Sequence, residues 1–402
     1  MVEAVARHGY SGTTVRELVA LAGVSKSTFY EHFESKQDCF LATLDAIIEE
    51  SARRVGSAYR RPEDFHEKMV AALSAFMELV VEEPAAASLA AVESLTLGSA
   101  GVAHRERSSE TFELIARQSF DRSSSSHPVS EITVRAIING LSGIVYRRLR
   151  SGRPDELPGL VESLVDWALT YQQPDSEAVK RAVAVAEQPS PEGTEQVVEG
   201  EKPSWDEPPD SALSRNALTQ RERIVRAAAR VVVERGYEAL SIPAISAAAG
   251  TSNQTFYEHF ASKREAFLEA FEILAAEALL NALAAFRAAG DDPGAIGAGL
   301  RALTEHIARN KMFARLAFFE IPAAGPTALD RADELLDTIT SFLEPDLAPT
   351  GIGEPPPKAI LEAIATGIWS VIQREIAQGR GDALPELAPE LTRIALAPMS
   401  NG

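Results

Sequence analysis

The chain repeats itself at a constant offset. The segment GYSGTTVRELVALAGVSKSTFYEHFESKQDCFL begins at Gly9. It aligns without a gap with GYEALSIPAISAAAGTSNQTFYEHFASKREAFL, which begins at Gly236, an offset of 227 residues. The same offset returns far downstream, where Glu93 aligns with Glu320. A register kept over that distance indicates that a whole folding unit is duplicated, and not only a short motif.

Composition favours an all-α fold. The chain has 402 residues, too many for one ordinary domain, and 45% of them are hydrophobic, with Ala and Leu dominant. Long alternations of β-branched residues are scarce. No apolar run reaches the roughly 18 residues that a bilayer-spanning helix needs, and the first residues lack the apolar core of a signal peptide. The single cysteine, Cys39, excludes an internal disulfide and fits a reducing compartment. We therefore expect a cytoplasmic protein without a membrane partner.

The repeat divides the chain into five expected segments. These are a helix-turn-helix domain (1–45), a helical domain (46–173), an acidic Pro-rich linker (174–214), a second helix-turn-helix domain (215–272) and a second helical domain (273–398). The linker composition predicts a mobile segment, since it has few large apolar residues apart from Trp205. A flexible chain of about 40 residues spans roughly 35 Å, which is enough to hold two folded units side by side.

The two copies differ at their beginnings. The second copy opens at Thr219 with TQRERIVRAAARVVVERGY, which predicts a complete first helix ending at Gly236. The first copy has only MVEAVARHGY, and Met1 aligns with Ala228, so about two helical turns have no counterpart. Either the start is placed too late, which we favour, or the first unit has a truncated, frayed helix.

Local signals predict two short helices joined by a tight turn. Thr14 and Glu17 form the T-x-x-E pattern that opens a helix, and Gly23 allows the left-handed conformation that ends it. Ser25 is the expected N-cap of the next helix. In the second copy the corresponding residues are Ser241, Gly250 and Ser252. Two short helices with a Gly-containing turn are typical of a helix-turn-helix.

The second of these helices predicts a DNA-reading surface. Phe29 and Phe33 lie four residues apart and are expected to point inward. The outward positions carry small and hydrogen-bonding side chains that suit the major groove. They are Lys26, Ser27, Thr28, Tyr30 and His32. Lys36, at the start of the following helix, is placed to hold a phosphate. Since the formal net charge is -19, any DNA contact must be a small local patch.

The order helix, Gly turn, S-x-x-T-F-Y-x-H-F and S-K resembles the TetR family of bacterial regulators, in both copies. The resemblance implies base contacts from Lys26, Ser27, Asn253 and Gln254. It implies phosphate contacts from Thr28, Tyr30, His32, Lys36, Thr255, Tyr257, His259 and Lys263. Arg16 stands where the family also reaches a base, whereas the second copy has Pro243 there, which cannot. The two readers are therefore not expected to prefer the same half-site.

The resemblance also implies a helical ligand-sensing and dimerising domain after each reader, with the last two helices as the pairing surface. These are 131–150 with 157–171, and 358–378 with 385–397. The small residues Gly140, Ser142, Gly143 and Gly367 would let helices approach closely. Two copies in one chain favour an intrachain pseudo-dimer, and a homodimer of the tandem chain is the alternative.

A pocket for a small-molecule inducer is expected among the helices of each sensing domain. Its candidate residues are Phe76, Glu93, Phe112 and Tyr146 in the first copy, and Phe313, Phe318, Glu320, Phe342 and Trp369 in the second. The aromatic residues fit an ordinary core better, because apolar residues at helical spacing are the usual core signal. Glu93 and Glu320 fit either a solvated face or a pocket carboxylate.

The sequence favours an operator-binding regulator of double-stranded DNA, expected to be a repressor that a small molecule releases. The alternative is a ligand-independent, architectural DNA-binding protein with one inactive reader. No catalytic triad, P-loop, dinucleotide-binding pattern or metal-ligand spacing is present, so we expect no enzyme activity, cofactor or metal.

Overall fold

The structure is a computed structural model that describes residues 1–97, 99–123, 125–191, 203–290, 292–341, 343–344 and 356–399. The described residues form helices and connections and contain no strand. Among them, no helix combines the length and the apolar character that a bilayer crossing requires. The chain separates into two compact units, Met1–Pro174 with Pro356–Val371, and Asp175–Pro355 with Ile372–Gly402. The expected all-α fold class is confirmed for the described residues.

The first nine helices belong to the first unit. They are α1 (Val2–Gly12), α2 (Val15–Ala22), α3 (Lys26–His32), α4 (Lys36–Tyr59), α5 (Phe65–Glu82), α6 (Pro84–Ala91), α7 (Ser99–Asp121), α8 (Glu131–Arg150) and α9 (Val161–Thr170). Short 3₁₀ segments at Glu93–Leu97 and Pro154–Leu160 precede α7 and α9. Within α1 the backbone kinks at Gly9, where φ is 66° and ψ is 169°. That conformation is essentially restricted to glycine.

The remaining helices begin at residue 177. They are α10 (Glu177–Ala186), α11 (Ala212–Ala217), α12 (Gln220–Arg235), α13 (Ile242–Ala248), α14 (Asn253–His259), α15 (Lys263–Ala288), α16 (Gly294–Arg309), α17 (Lys311–Arg315), α18 (Pro326–Ser341), α19 (Lys358–Ala377) and α20 (Leu384–Leu396). A π-helical segment, Leu316–Glu320, follows α17. The first fourteen residues of α19, up to Val371, pack in the first unit.

The segment expected to be a mobile linker contains packed structure. Helix α10 lies against α16 and α20 of the second unit, and the backbone carbonyl of Ala182 sits so close to Gly297 that a Cβ there would overlap it. One face of α10 carries small apolar residues at helical spacing, from Ala178 through Ala182 to Ala186. The high proline content around the helix obscured that short amphipathic pattern. Residues 192–202 lie outside the described part.

Each helix-turn-helix rests on a core shared with its neighbouring helices. In the first unit Ala4 and Phe29 pack with Leu18 and Val19, while Leu89 of α6 packs with Phe40 of α4. The second-copy positions of Phe29, Phe40 and Leu89 are equally buried. They are Phe256, Phe267 and Leu316. Helix α6, outside the helix-turn-helix, therefore helps to form the core on which the first reader sits.

Small residues bring α8 and the first part of α19 into close contact inside the first unit. A Cβ at Gly140 would lie 2.5 Å from the carbonyl oxygen of Ala363, and one at Gly143 would overlap the side chain of Thr366. Gly367 meets the backbone of Ala136 in the same way. Glycine therefore allows the two helix backbones to touch, as the sequence predicted for Gly140, Gly143 and Gly367.

Candidate nucleic-acid interface

The first reader has the predicted helix-turn-helix geometry. Thr14 caps α2 by accepting a hydrogen bond from the backbone N–H of Glu17 at 3.3 Å. Helix α2 ends at Gly23, which adopts the left-handed conformation with φ of 67° and ψ of 27°. The side chain of Ser25 then accepts from the N–H of Thr28 at 3.0 Å and starts α3. Sequence-local capping thus fixes the angle at which α3 leaves the turn.

Helix α3 buries one side and exposes the other. Phe29 is buried against α1 and α2, and its ring meets the ring of Tyr30 edge-on at 5.3 Å between centroids. Tyr30 itself is 57% exposed. Lys26, Ser27 and His32 are also exposed. The side chains expected to meet DNA therefore share the open side of the helix.

The second reader repeats this geometry. Ser252 accepts from the N–H of Thr255 at 3.0 Å, Phe256 is fully buried, and Tyr257 is 60% exposed beside it. Asn253 and Gln254 form the exposed start of α14. A recognition helix contacts base edges through its N-terminal residues, so both readers present their expected base-contacting residues at the right end.

The two readers offer different chemistry to a base edge. The first presents two exposed cations, Arg16 and Lys26, and such side chains pair well with guanine O6 and N7. The second presents the amides of Asn253 and Gln254, which pair well with adenine N6 and N7. At the position of Arg16 the second reader has Pro243, in the first turn of α13.

Lys36 and Lys263 are engaged within the protein, which the sequence did not predict. The Lys36 ammonium donates to the carbonyl oxygens of Tyr10 and Thr13 at 2.8 and 2.9 Å. The ammonium of Lys263 donates to Leu240, the counterpart of Thr13, at 2.6 Å. Helix α1 ends here, and its terminal carbonyls need donors. Both lysines thus stabilise the fold of their own reader. A phosphate contact from either lysine would compete with these hydrogen bonds.

An arginine holds the recognition helix of the second reader at its C-terminal end. Arg221, in the first turn of α12, donates to the carbonyl oxygen of His259 at 2.8 Å and pairs with Glu269 on α15. Its guanidinium also stacks on the ring of Phe260 at 4.3 Å. In the first copy the counterpart of Glu269 is Ala42. The two readers are therefore anchored differently.

The segment Pro203–Leu218, here called the strap, packs on the second reader. The buried guanidinium of Arg226 on α12 donates to the carbonyl oxygens of Pro203 and Ser204 at 2.6 and 2.9 Å and lies 4.7 Å from the ring of Trp205. Burial lowers the pKa of Arg226. The indole N–H of Trp205 donates to Glu277 at 3.2 Å. The strap therefore connects α12 to α15, in place of a mobile linker.

Glu93 and Glu320 bind the backbone of their own readers. A carboxylate oxygen of Glu93 accepts from the N–H of Tyr10 at 3.0 Å. The same oxygen of Glu320 accepts from the N–H of Tyr237 at 2.9 Å. The solvated-face interpretation is wrong for Glu320, which is 6% exposed. The sequence shows the shared register of the two glutamates but not their partner 83 residues away.

The remaining pocket candidates are distributed as follows. The rings of Phe76 and Phe112 are 6.4 Å apart, and the hydroxyl of Tyr146 accepts from Arg150 at 3.0 Å. Phe313 and Phe318 are buried in the second unit, whereas Trp369 lies in the part of α19 that packs in the first. Phe342 lies outside the described residues. A shared ligand-contacting role for these side chains stays a prediction.

The exposed recognition helices define the class of the protein. It is a helix-turn-helix, DNA-binding regulator of transcription. In the described part of the chain no group of three His, Cys, Asp or Glu side chains is arranged to hold a metal ion.

Comparison with known proteins finds similarity to bacterial regulators of the tetR family in both readers. The family model described as bacterial regulatory proteins, tetR family, matches residues 2–43 and again 224–270. The HTH-type transcriptional activator FasR of Mycolicibacterium smegmatis is 27% identical over 165 residues, which are 40% of this chain and 74% of that protein. The fatty acid degradation regulator FadR from Bacillus halodurans matches at a TM-score of 0.36 and 15% identity, over 44% of this chain and 95% of that one.

Proposed function

We propose that this protein binds a specific DNA operator with both of its readers, which pair within one chain as a pseudo-dimer. The observation that carries the proposal is the repeated exposure of Tyr30 and Tyr257 on capped recognition helices, each backed by a buried phenylalanine. Large exposed aromatic side chains beside small polar ones suit backbone and base-edge contacts in a groove.

Pairing within one chain is supported by the glycine contacts of α8. Gly140 and Gly143 from the first copy meet Ala363 and Thr366 from the second copy, inside one compact unit. The buried Arg148 donates to Glu362 across the same contact at 3.1 Å. A buried charge pair would be strongly destabilising if either partner were absent, so it specifies which helices meet. The alternative is a homodimer of the tandem chain with four readers.

An operator with two unlike halves follows from the unlike readers. Arg16 and Lys26 favour guanine in one half-site, and Asn253 and Gln254 favour adenine in the other. Readers that pair about a two-fold axis contact half-sites one helical turn apart, about 34 Å, or a multiple of it. This chain therefore needs no palindrome, in contrast to a regulator built from two identical chains.

A small-molecule ligand is proposed to control binding by favouring a reader arrangement that does not fit DNA. On this proposal the protein represses and the ligand releases it. A second candidate, activation, is favoured by the similarity to FasR, an HTH-type transcriptional activator. A reporter gene behind the protein's own upstream DNA separates the two. Deleting the regulator raises expression if it represses and lowers expression if it activates.

The direct test is a gel shift on the protein's own upstream DNA. Tyr30→Ala and Tyr257→Ala should each weaken selective binding, because both readers contribute. If only Tyr257→Ala weakens binding, the first reader is inactive and the proposal of two working readers is wrong. The mass of the protein in solution then distinguishes the pseudo-dimer, at 43.2 kDa, from a homodimer of twice that mass.

A further inference from the structure

The junction between each reader and the helices that follow it contains one contact that occurs twice. Glu93 and Glu320 stand at the same register of the two copies, and each accepts from a tyrosine N–H, that of Tyr10 or Tyr237. The contact lies where the first helix of each reader turns toward the second. Two copies that differ at most positions have kept both partners at one spacing, 83 residues.

The backbone at each junction is shaped for this bond. Gly9 and Gly236, directly before the tyrosines, have φ of 66° and 80° with extended ψ. That combination is essentially closed to other residues, whereas glycine adopts it without steric strain. A Cβ on either glycine would lie 3.8 Å from the carboxylate oxygen, in ordinary contact. The glycine turn therefore brings the tyrosine N–H to the glutamate.

The tyrosine side chains are fixed at the same place. The ring of Tyr10 packs edge-on against Phe40 at 4.9 Å, and the Lys36 ammonium lies 4.1 Å from its centroid. Tyr237 has Phe267 at 5.0 Å and Lys263 at 5.0 Å. Each tyrosine is thus held by the long helix after the reader through its ring. The glutamate holds the N–H of the same residue.

The glutamates lie on irregular segments outside the readers. Glu93 begins the 3₁₀ segment between α6 and α7, and Glu320 ends the π-helical segment after α17. π-Helical turns inside helical proteins are frequent at functional sites. Arg315 pairs with the other oxygen of Glu320 at 2.8 Å, and its counterpart in the first copy is Ser88. Arg315 therefore supports the contact of Glu320, and Ser88 cannot form the same ion pair with Glu93.

We propose that Glu93 and Glu320 are positioning residues that transmit the placement of each sensing region to its reader through the N–H of Tyr10 and Tyr237. A displacement of the 3₁₀ or π-helical segment carries the carboxylate with it. The turn between the first two reader helices must then follow or lose the bond. Only the DNA-affinity part of this inference rests on the proposed DNA-binding function.

The test combines hydrogen–deuterium exchange at single amides with DNA affinity in the full-length protein. Glu93→Ala should speed exchange of the Tyr10 amide about tenfold or more and leave Tyr237 unchanged, and Glu320→Ala should do the reverse. Each should also weaken operator binding about tenfold without an equal change in the cooperative unfolding of the core. Glu93→Gln and Glu320→Gln keep an acceptor oxygen and should fall between wild type and alanine.

Matched controls make each outcome decisive. Glu49→Ala removes an exposed carboxylate from α4 with the same change in net charge, and should alter neither amide. If an alanine variant does not fold, the glutamine variants carry the test. Unchanged exchange at the tyrosine amides, or faster exchange with unchanged DNA affinity, would overturn the proposal. If wild-type protein binds no DNA selectively, the proposed function is wrong. The exchange data then still show whether the glutamates bind the tyrosine amides.

Discussion

Arg221 donates a hydrogen bond to the carbonyl oxygen of His259, the last residue of the second recognition helix, at 2.8 Å. The last carbonyls of a helix have no partner within it, so a guanidinium there stabilises the helix end. Since the same side chain pairs with Glu269 on α15, the recognition helix is fixed between two longer helices.

Replacing Arg221 should therefore weaken the second reader selectively. We expect Arg221→Ala to reduce operator affinity about fivefold, equivalent to about 1 kcal/mol for a partly exposed, charge-assisted contact. Arg235→Ala is the matched control, because it removes an exposed arginine from the same helix. Equal affinities of the two variants in a titration of fluorescent operator DNA would show that the anchor is not needed.

Lys26 and Lys36 should respond differently to removal of their charge. Lys26 is exposed at the base-reading end of the recognition helix, so Lys26→Met should relax the preference for guanine in its half-site, at a cost of about 1–3 kcal/mol in binding, and leave unfolding unchanged. Lys36 donates to two carbonyl oxygens, so Lys36→Met should lower the free energy of unfolding by about 1–3 kcal/mol. A reduced salt slope with unchanged unfolding for Lys36→Met would instead identify it as a phosphate contact.

Gly140 tests the close approach of α8 and α19. In an isolated helix Gly→Ala stabilises by up to about 1 kcal/mol. Here the added Cβ would lie 2.5 Å from the carbonyl oxygen of Ala363, so we expect Gly140→Ala to destabilise by about 1–3 kcal/mol. At Gly159 no atom lies within 4 Å of the added Cβ, so Gly159→Ala is the control. Urea unfolding measures both, and equal midpoints would argue against the tight contact.

Trp205 tests whether the strap is held on the second reader. Trp205→Ala removes the ring under Arg226 and the indole donor to Glu277, and should destabilise by about 2 kcal/mol. Limited proteolysis should then cleave near Pro203–Leu218 faster than in wild type. Leu213→Ala, in the same strap but 56% exposed, should leave the rate unchanged. Fast cleavage already in wild type would contradict a packed strap.

The duplicated motif predicted the helix-turn-helix well because its determinants are local. Caps such as Ser25 and the left-handed Gly23 act on residues within one turn, so their effect is readable from spacing alone. The ranges predicted for the last helices of each copy also agree closely, and α8 begins and ends at the expected residues.

Other features depend on partners distant in sequence. Lys36 and Tyr10 are 26 residues apart in sequence, and Tyr10 and Glu93 are 83 residues apart. No local sequence pattern therefore predicts either hydrogen bond. The recurrence of Tyr10 and Glu93 at one offset was the available signal. Helix α10 is not predicted from the sequence, because the Pro-rich composition around it outweighs its short run of small apolar residues.

Selection of bound sequences from random duplex DNA tests most directly whether both readers work in one chain. The wild-type protein should enrich one site with two unlike halves, one guanine-containing and one adenine-containing, whose centres lie one helical turn or a small multiple apart. Tyr30→Ala and Tyr257→Ala should each erase the preference in a different half. Failure to enrich any sequence at low salt, or enrichment of a perfect palindrome that neither substitution makes asymmetric, would contradict two unlike readers acting together.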